Sequence, residues 1–147
     1  MRRPRRGSEA AVIGAIAVGG MIGAVARHAM ALAIPSGNGF PWSTFVTNVS
    51  GCALIGVLMV VLLETRPPHP LARPFLGVGV LGGYTTFSTY AVETHALLLD
   101  ERIVLAATYL AGTLVVALAA VQLGVVTTRA VALPPPPPTS QREGDPR

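Results

Sequence analysis

The sequence predicts an all-α integral membrane protein of four transmembrane helices, the third of them broken. Three observations carry that fold class. The 147-residue chain is 51% hydrophobic and 12% charged, with a mean hydropathy of +0.57, about half the charge of an ordinary soluble domain. Four apolar stretches, 10–34, 41–63, 74–99 and 103–128, each reach the roughly 20 residues that cross a bilayer as a helix. Inside the third stretch the run GGYTTFST (82–89) sets two glycines, costing about 1 kcal/mol each in a helix, ahead of Thr85, Thr86, Ser88 and Thr89.

The same composition excludes several functions. Net charge is +4 and all eleven basic residues are arginines, clustered at segment ends, while aromatics make up 5%. That is no phosphate-binding face, so no nucleic-acid partner is expected. The single Cys52 rules out an intrachain disulfide and a cysteine-rich metal site. There is no phosphate-binding Gly-rich loop ending in Lys, no HExxH and no Gly-x-Ser-x-Gly, and His28, His69 and His95 lack metal-ligand spacing. An enzyme is not expected.

The first segment follows MRRPRR and contains Ala24-Val25-Ala26, so it also reads as a secretory leader. Against that, Ala11, Ala15, Gly19 and Gly23 recur every four positions. Such a small-residue stripe lets helices pack closely in lipid, which a discarded leader does not need. Arg27 extends the same line. It reads either as an interfacial anchor or as a cation facing a vestibule, where it raises the local anion concentration. Residues 35–40, PSGNGF, form a turn.

In the second segment Thr44, Asn48, Gly51 and Cys52 share one helix face. Asn48 is either interhelical glue, worth about 0.6 kcal/mol, or a hydrogen-bond donor on a wet path; the segment alone leaves both open. A polar, Pro-rich connection, 64–73, leads to the third segment. There Thr86, Thr89 and Glu93 stand at i, i+3, i+7, beside an aromatic stripe of Phe87 and Tyr90. Irregular backbone at membrane depth persists only where protein or a water-filled cavity satisfies it. Carbonyls released near Gly82–Thr85 could coordinate a small cation. A three-residue link, 100–102, leads to the fourth segment, where Tyr109 and Thr113 lie four apart. The chain thus divides into an Arg-rich start (1–9), a membrane domain (10–130) and a Pro-rich tail (131–147) expected to be extended and unpacked.

Four crossings place both termini on one side. Arg2, Arg3, Arg5, Arg6, Arg66, Arg73 and Arg129 then face Arg27 and Arg102 on the other side. The positive-inside rule makes the terminal side cytoplasmic.

GGMIGAVARH (19–28), PWSTFVTNVSGCALIG (41–56) and GVGVLGGYTTFSTY (77–90) together resemble the Fluc/CrcB fluoride channel family, with a weaker likeness at Thr108-Tyr109. The resemblance covers the whole membrane part. It implies passive export of cytoplasmic fluoride through the plasma membrane of a bacterium, by an antiparallel, dual-topology dimer with two pores. It implies a structural sodium ion at the dimer centre, on backbone carbonyls of Gly82 and Thr85. Phe87 and Tyr90 would line the pore with Asn48; the family usually has Phe at the second ring, so Tyr90 is a departure. Arg27 would stand in the vestibule, and Ser88, Thr89, Glu93 and Tyr109 would form the polar track. The arginine bias adds an expectation peculiar to this chain: a protein inserted in one orientation pairs with an oppositely oriented paralogue, whereas a homodimer needs both insertions. The competing function is a small antiparallel proton-coupled drug or cation transporter, which needs an acid deep in the bilayer. The first segment carries none between Glu9 and Ile34, and Glu93 lies near a segment end. A non-transporting scaffold would leave the hydroxyl run unexplained.

Overall fold

The computed structural model describes residues 6–35, 39–65 and 69–132, with the side chains of 6–8 and 65 left aside. The Arg-rich start before residue 6, the loop arginine at 66 and the tail beyond 132 lie outside the described residues.

The described residues are helical, in the order α1 (Arg6–Ala33), α2 (Trp42–Val60), a π-helical turn π1 (Val61–Thr65), π2 (Arg73–Leu81), α3 (Gly82–Tyr84), α4 (Phe87–Leu99) and α5 (Ile103–Ala132). Three helices, Glu9–Ala33, Trp42–Glu64 and Ile103–Ala132, are long and apolar enough to cross a membrane by length and composition. Much of their apolar surface faces outward: Val104 is 81% exposed and Val131 89%. Outward-facing apolar side chains suit a solvent of acyl chains.

Backbone polar groups are satisfied within the helices, and the hydroxyls on them follow. Thr108, Thr127 and Thr128 of α5 each donate to the carbonyl one turn back, on Val104, Leu123 and Gly124. That arrangement lets a threonine ride in an apolar helix without an unpaired hydrogen.

Small residues set the packing. α1 lies against π2 and α3, and α2 lies against α5. A Cβ on Gly19 would strike the Phe75 carbonyl, and one on Gly23 the Val80 carbonyl. Gly79 answers from the other side against Gly19, and Gly83 against Gly20. The α2–α5 seam is built the same way, Gly56 against Val121 and Gly124 against Ala53. Without an apolar driving force in lipid, this close backbone approach and its van der Waals contact hold such helices together.

The glycine pair at 82–83 is therefore not where the helix stops. Both residues are helical, and Gly83 serves the contact with α1. The interruption falls two residues later. Thr85 (φ −75°, ψ 156°) and Thr86 (φ −146°, ψ 120°) are extended, and helix resumes at Phe87. π2, wound more loosely than an α-helix, is a second irregularity; π-winding is rare and recurs near functional sites. Pro74, which has no N–H, sits in its first turn, where the donor would be unpaired anyway.

The α4–α5 link is a Schellman turn. Arg102 N–H donates to the Leu97 carbonyl and Glu101 N–H to Leu98. Glu101 takes the left-handed position, φ 57°, where glycine is usual. The buried cluster beside this hairpin is Leu97, Ala106 and Tyr109, with Phe40, Phe45, Tyr90 and Leu105 around it.

Candidate functional site

At the interruption the Thr86 N–H turns to a side chain instead of a helical carbonyl, and side chains from two other elements hold the break. Asn48 of α2 pairs with Thr86 at both ends of its amide: Nδ2 donates to the Thr86 carbonyl at 2.9 Å, and the Thr86 N–H donates to Oδ1 at 2.8 Å. Arg27 Nε of α1 donates to the Gly83 carbonyl at 3.2 Å. Thr85 N–H and its hydroxyl both donate to Leu81, closing the end of the preceding helix. Thr86 Oγ1 accepts from the Thr89 N–H and caps the start of α4. Thr86, itself buried, also donates to Thr89 Oγ1 and lies 3.3 Å from Ser88 Oγ. Gly51 leaves the room for this approach, since a Cβ there would strike the Thr85 methyl.

Two cavities flank the Asn48–Thr86 pair. The first, about 210 Å³, is lined by Arg27, His28, Ser43, Thr44, Thr47, Thr86 and Thr89, with Ala24 and Ala31. It is a hydroxyl-walled space with one fixed cation. The second, about 260 Å³, is lined by Asn48, Cys52, Ile55, Thr85, Thr86, Phe87, Tyr90, Thr113, Leu114 and Ala117. It is edged by rings, with few polar groups. Thr86 belongs to both walls.

Glu93 sits behind the first cavity. Its two carboxylate oxygens accept from the Thr44 hydroxyl at 2.9 Å and the Tyr109 hydroxyl at 2.7 Å. Thr44 and Tyr109 are both buried, Tyr109 fully. The carboxylate is thus half-buried and engaged at both oxygens. On the second cavity, the Phe87 and Tyr90 rings lie 5.9 Å apart, and Tyr90 meets Tyr109 edge-on at 5.1 Å. Phe87 is 80% exposed. The Tyr90 hydroxyl, the group that distinguishes it from Phe, donates to the Leu110 main-chain carbonyl of α5.

The structure therefore groups the residues singled out from the sequence as follows. Asn48, Phe87 and Tyr90 share the second cavity; Arg27 and Thr89 share the first; Glu93 and Tyr109 are bonded to each other behind it; Ser88 is exposed and lines neither cavity. No side chain among the described residues donates to the carbonyls of Gly82 or Thr85, and a Cβ on Gly82 would meet open space.

Three residues named in the sequence take roles that it did not show. Thr86 looked like one rung of a helical ladder; it is the extended hinge on which the site turns. Thr44 shares the Asn48 face, but its carboxylate partner is 49 positions away. Thr113 is buried at 5% exposure, lines the second cavity, and its Oγ1 has no hydrogen-bond partner among the described residues. Its spacing of four from Tyr109 was the available signal.

Comparison with known proteins places this geometry in context. A family model described as CrcB-like protein, Camphor Resistance (CrcB), matches residues 14–125. The chain is 51% identical to "Fluoride-specific ion channel FluC 1" of Streptomyces coelicolor over 125 residues, 84% of this chain and 81% of that one. It is 52% identical to "Fluoride-specific ion channel FluC 2" of Streptomyces avermitilis over 114 residues, 77% and 72% of the two chains. It is 45% identical to "Fluoride-specific ion channel FluC" of Chlorobaculum tepidum over 100 residues, 67% and 79%.

Proposed function

The chain belongs to the CrcB-like protein family, and from that premise we propose that it is a fluoride-selective channel of a bacterial plasma membrane, exporting cytoplasmic fluoride passively. The observation that carries the reading is the interruption at Thr85–Thr86, held by Asn48 between a hydroxyl-walled cavity and a ring-edged one.

Fluoride is small and strongly hydrated, so a path for it must supply replacement donors. The first cavity offers Arg27 and four hydroxyl side chains besides the Thr86 hinge. The Asn48 amide carries two N–H groups; one goes to Thr86, and the second is the donor toward the second cavity. There the positive edges of Phe87 and Tyr90 face a passing anion. The Tyr90 hydroxyl, donated to Leu110, is kept for the scaffold, so Tyr90 serves as the usual Phe would. Arg27 is the one arginine on either wall; favourable entry with weak, multiple sites is what conduction requires. An inside-negative potential drives the anion out at about 2.3 kcal/mol per 100 mV.

The finer architecture follows the same reading. π2 with α3 spans 12 residues and α4 spans 13. At about 1.5 Å per residue they reach roughly 37 Å, enough for a hydrocarbon core of about 30 Å. They form the remaining crossing, third in chain order and broken at its middle. The exposure of Phe87 and of Gly82 supports a second, antiparallel protomer against this crossing. The Gly82 and Thr85 carbonyls, to which no side chain among the described residues donates, are hard oxygen donors suited to a sodium ion between the two protomers. A neutral carbonyl set binds such an ion without a carboxylate, and its role would be structural. Both termini are cytoplasmic, on the side that carries seven arginines. That bias fixes one insertion, so the partner is an oppositely oriented paralogue; an active antiparallel homodimer from this chain purified alone would falsify the pairing.

The transporter alternative has little support. Its acid would have to release and capture protons against a substrate, whereas Glu93 is tied to two buried hydroxyls on the protein side of the cavity.

The test is fluoride efflux from potassium-permeable vesicles, read with a fluoride electrode, for this chain alone and then with an oppositely oriented relative. Efflux above protein-free vesicles with no chloride flux is expected. Phe87→Ile should lower it at least severalfold while the protein still elutes as the same species. Silence in both preparations overturns the channel.

A further inference from the structure

We propose that the Tyr84 and Ser50 hydroxyls form a second clamp on the interruption, beside Asn48, and act as a positioning pair that sets the anion selectivity of the passage. On α2, Asn48 and Ser50 lie two positions apart, about 200° round the helix, with Gly51 on the arc between them. The interrupted segment meets this arc residue by residue. Thr86 is bonded to Asn48, Thr85 lies over Gly51, and Tyr84 is bonded to Ser50. Ser50 gives its single hydrogen to the Thr47 carbonyl at 3.2 Å, so the Tyr84 hydroxyl donates to Ser50 Oγ at 3.0 Å. A Cβ on Gly51 would stand 3.3 Å from the Tyr84 ring, so ring and hydroxyl are both seated on α2.

Neither hydroxyl lines either of the two cavities, and each acts through a neighbour that does. Tyr84 is the last helical residue before the interruption, and the next two residues, Thr85 and Thr86, are walls of the second cavity. Ser50 is bonded to Thr47, a wall of the first. Arg27 holds Gly83 from α1 and Asn48 holds Thr86 from α2. Between those ties, the Tyr84–Ser50 bond fastens the end of the first half-helix to α2. Fluoride and chloride carry the same charge and differ in size and hydration. A passage of neutral donors separates them only while its walls keep their spacing. Releasing the half-helix lets those walls give, which takes close donors from the smaller ion and admits the larger.

The selectivity rests on the channel reading; the clamp does not. The experiment uses the full chain as wild type, Tyr84→Phe, Ser50→Ala and the double variant, in the vesicle preparation that conducts fluoride. Two quantities are read: the ratio of fluoride to chloride efflux, and hydrogen exchange at the Thr85 amide, which bonds to the Leu81 carbonyl. Tyr84→Phe keeps the ring and removes only the hydroxyl. The ratio should fall severalfold in each single variant, and the double variant should match them, as expected for two ends of one bond. The Thr85 amide should exchange faster in all three. Lost stability alone leaves the ratio unchanged, because the ratio does not depend on how much protein is folded or incorporated. An unchanged ratio in either single variant, a loss in the double variant equal to the product of the singles, or wild-type protection of the Thr85 amide each overturns the proposal. Wild-type vesicles without fluoride efflux would instead defeat the channel reading, with the exchange still deciding the clamp.

Discussion

Replacing Asn48 by aspartate changes one amide N–H₂ into an oxygen and adds a charge, and the structure says what each change does. The Thr86 N–H at 2.8 Å keeps an acceptor, but the Thr86 carbonyl at 2.9 Å now faces a carboxylate oxygen instead of a donor. One backbone bond is lost and a repulsion replaces it. A fixed negative charge within about 5 Å of a passing anion costs about 3 kcal/mol at an effective dielectric constant near 20. That is on the order of a hundredfold in rate. Asn48→Ala separates the two effects. It adds no charge and leaves the Thr86 N–H and carbonyl both unpaired, at about 1–3 kcal/mol each as an upper bound. In lipid the realised cost is smaller, because the unfolded reference also finds partners; measured bonds average about 0.6 kcal/mol. Fluoride efflux and native-state hydrogen exchange are read together. Asn48→Asp should lose roughly a hundredfold in efflux with the chain still folded. Asn48→Ala should lose less efflux, and the Thr86 amide should exchange faster in it. Wild-type efflux in Asn48→Asp, or an equally protected Thr86 amide in Asn48→Ala, would refute the assignment.

Gly23→Leu should abolish assembly of α1 on π2 and α3, because its side chain meets the Val80 carbonyl and the Tyr84 N–H; loss of the folded species on size-exclusion chromatography checks it, with Gly14→Leu, where nothing lies within 4 Å, as the tolerated control. Tyr109→Phe keeps the buried ring but removes one of the two donors to Glu93, costing about 1.5–3 kcal/mol by analogy with other bonds to charged groups; thermal unfolding in detergent should show it, and an unchanged midpoint would mean that the bond is not made. Glu101→Gly should stabilise the α4–α5 hairpin by about 1 kcal/mol, the cost of a left-handed non-glycine residue, read as a higher unfolding midpoint.

The broad architecture was legible because its signals are local. Apolar length marks the three long helices, and the four-residue recurrence of Ala11, Ala15, Gly19 and Gly23 points to a packing face of which Gly19 and Gly23 make the contacts. The place of the interruption was misread for the same reason. Gly82-Gly83 is the strongest helix-breaking signal in the interior of the third segment by propensity, yet both glycines remain helical, with the Gly20 backbone packed against Gly83. Tertiary contact decided against propensity, and the break moved to Thr85–Thr86, where Asn48 offers the bonds a helix would otherwise supply. Partners 38 and 49 positions apart, Asn48 with Thr86 and Thr44 with Glu93, leave no trace in periodicity. Of the site, the residue types could be read; their pairing could not.

That pairing explains how the chain tolerates the interruption at Thr85–Thr86. Several of the groups freed by the break are taken up by other elements. Thr86 gives its N–H and carbonyl to α2 through Asn48, Gly83 gives its carbonyl to α1 through Arg27, and the Thr86 hydroxyl starts α4. Two helices distant in sequence thus hold one hinge, and they can reach it only because Gly19, Gly23 and Gly51 let backbones approach without side chains between them. The polar groups that stabilise the break are also the walls of the two cavities, so under the proposed function the scaffold and the path draw on the same residues. A substitution at Asn48 or Arg27 therefore acts on both, and efflux alone cannot distinguish a lost ligand from a shifted hinge. The amide of Thr86 can, because it reports the hinge whether or not an anion is passing.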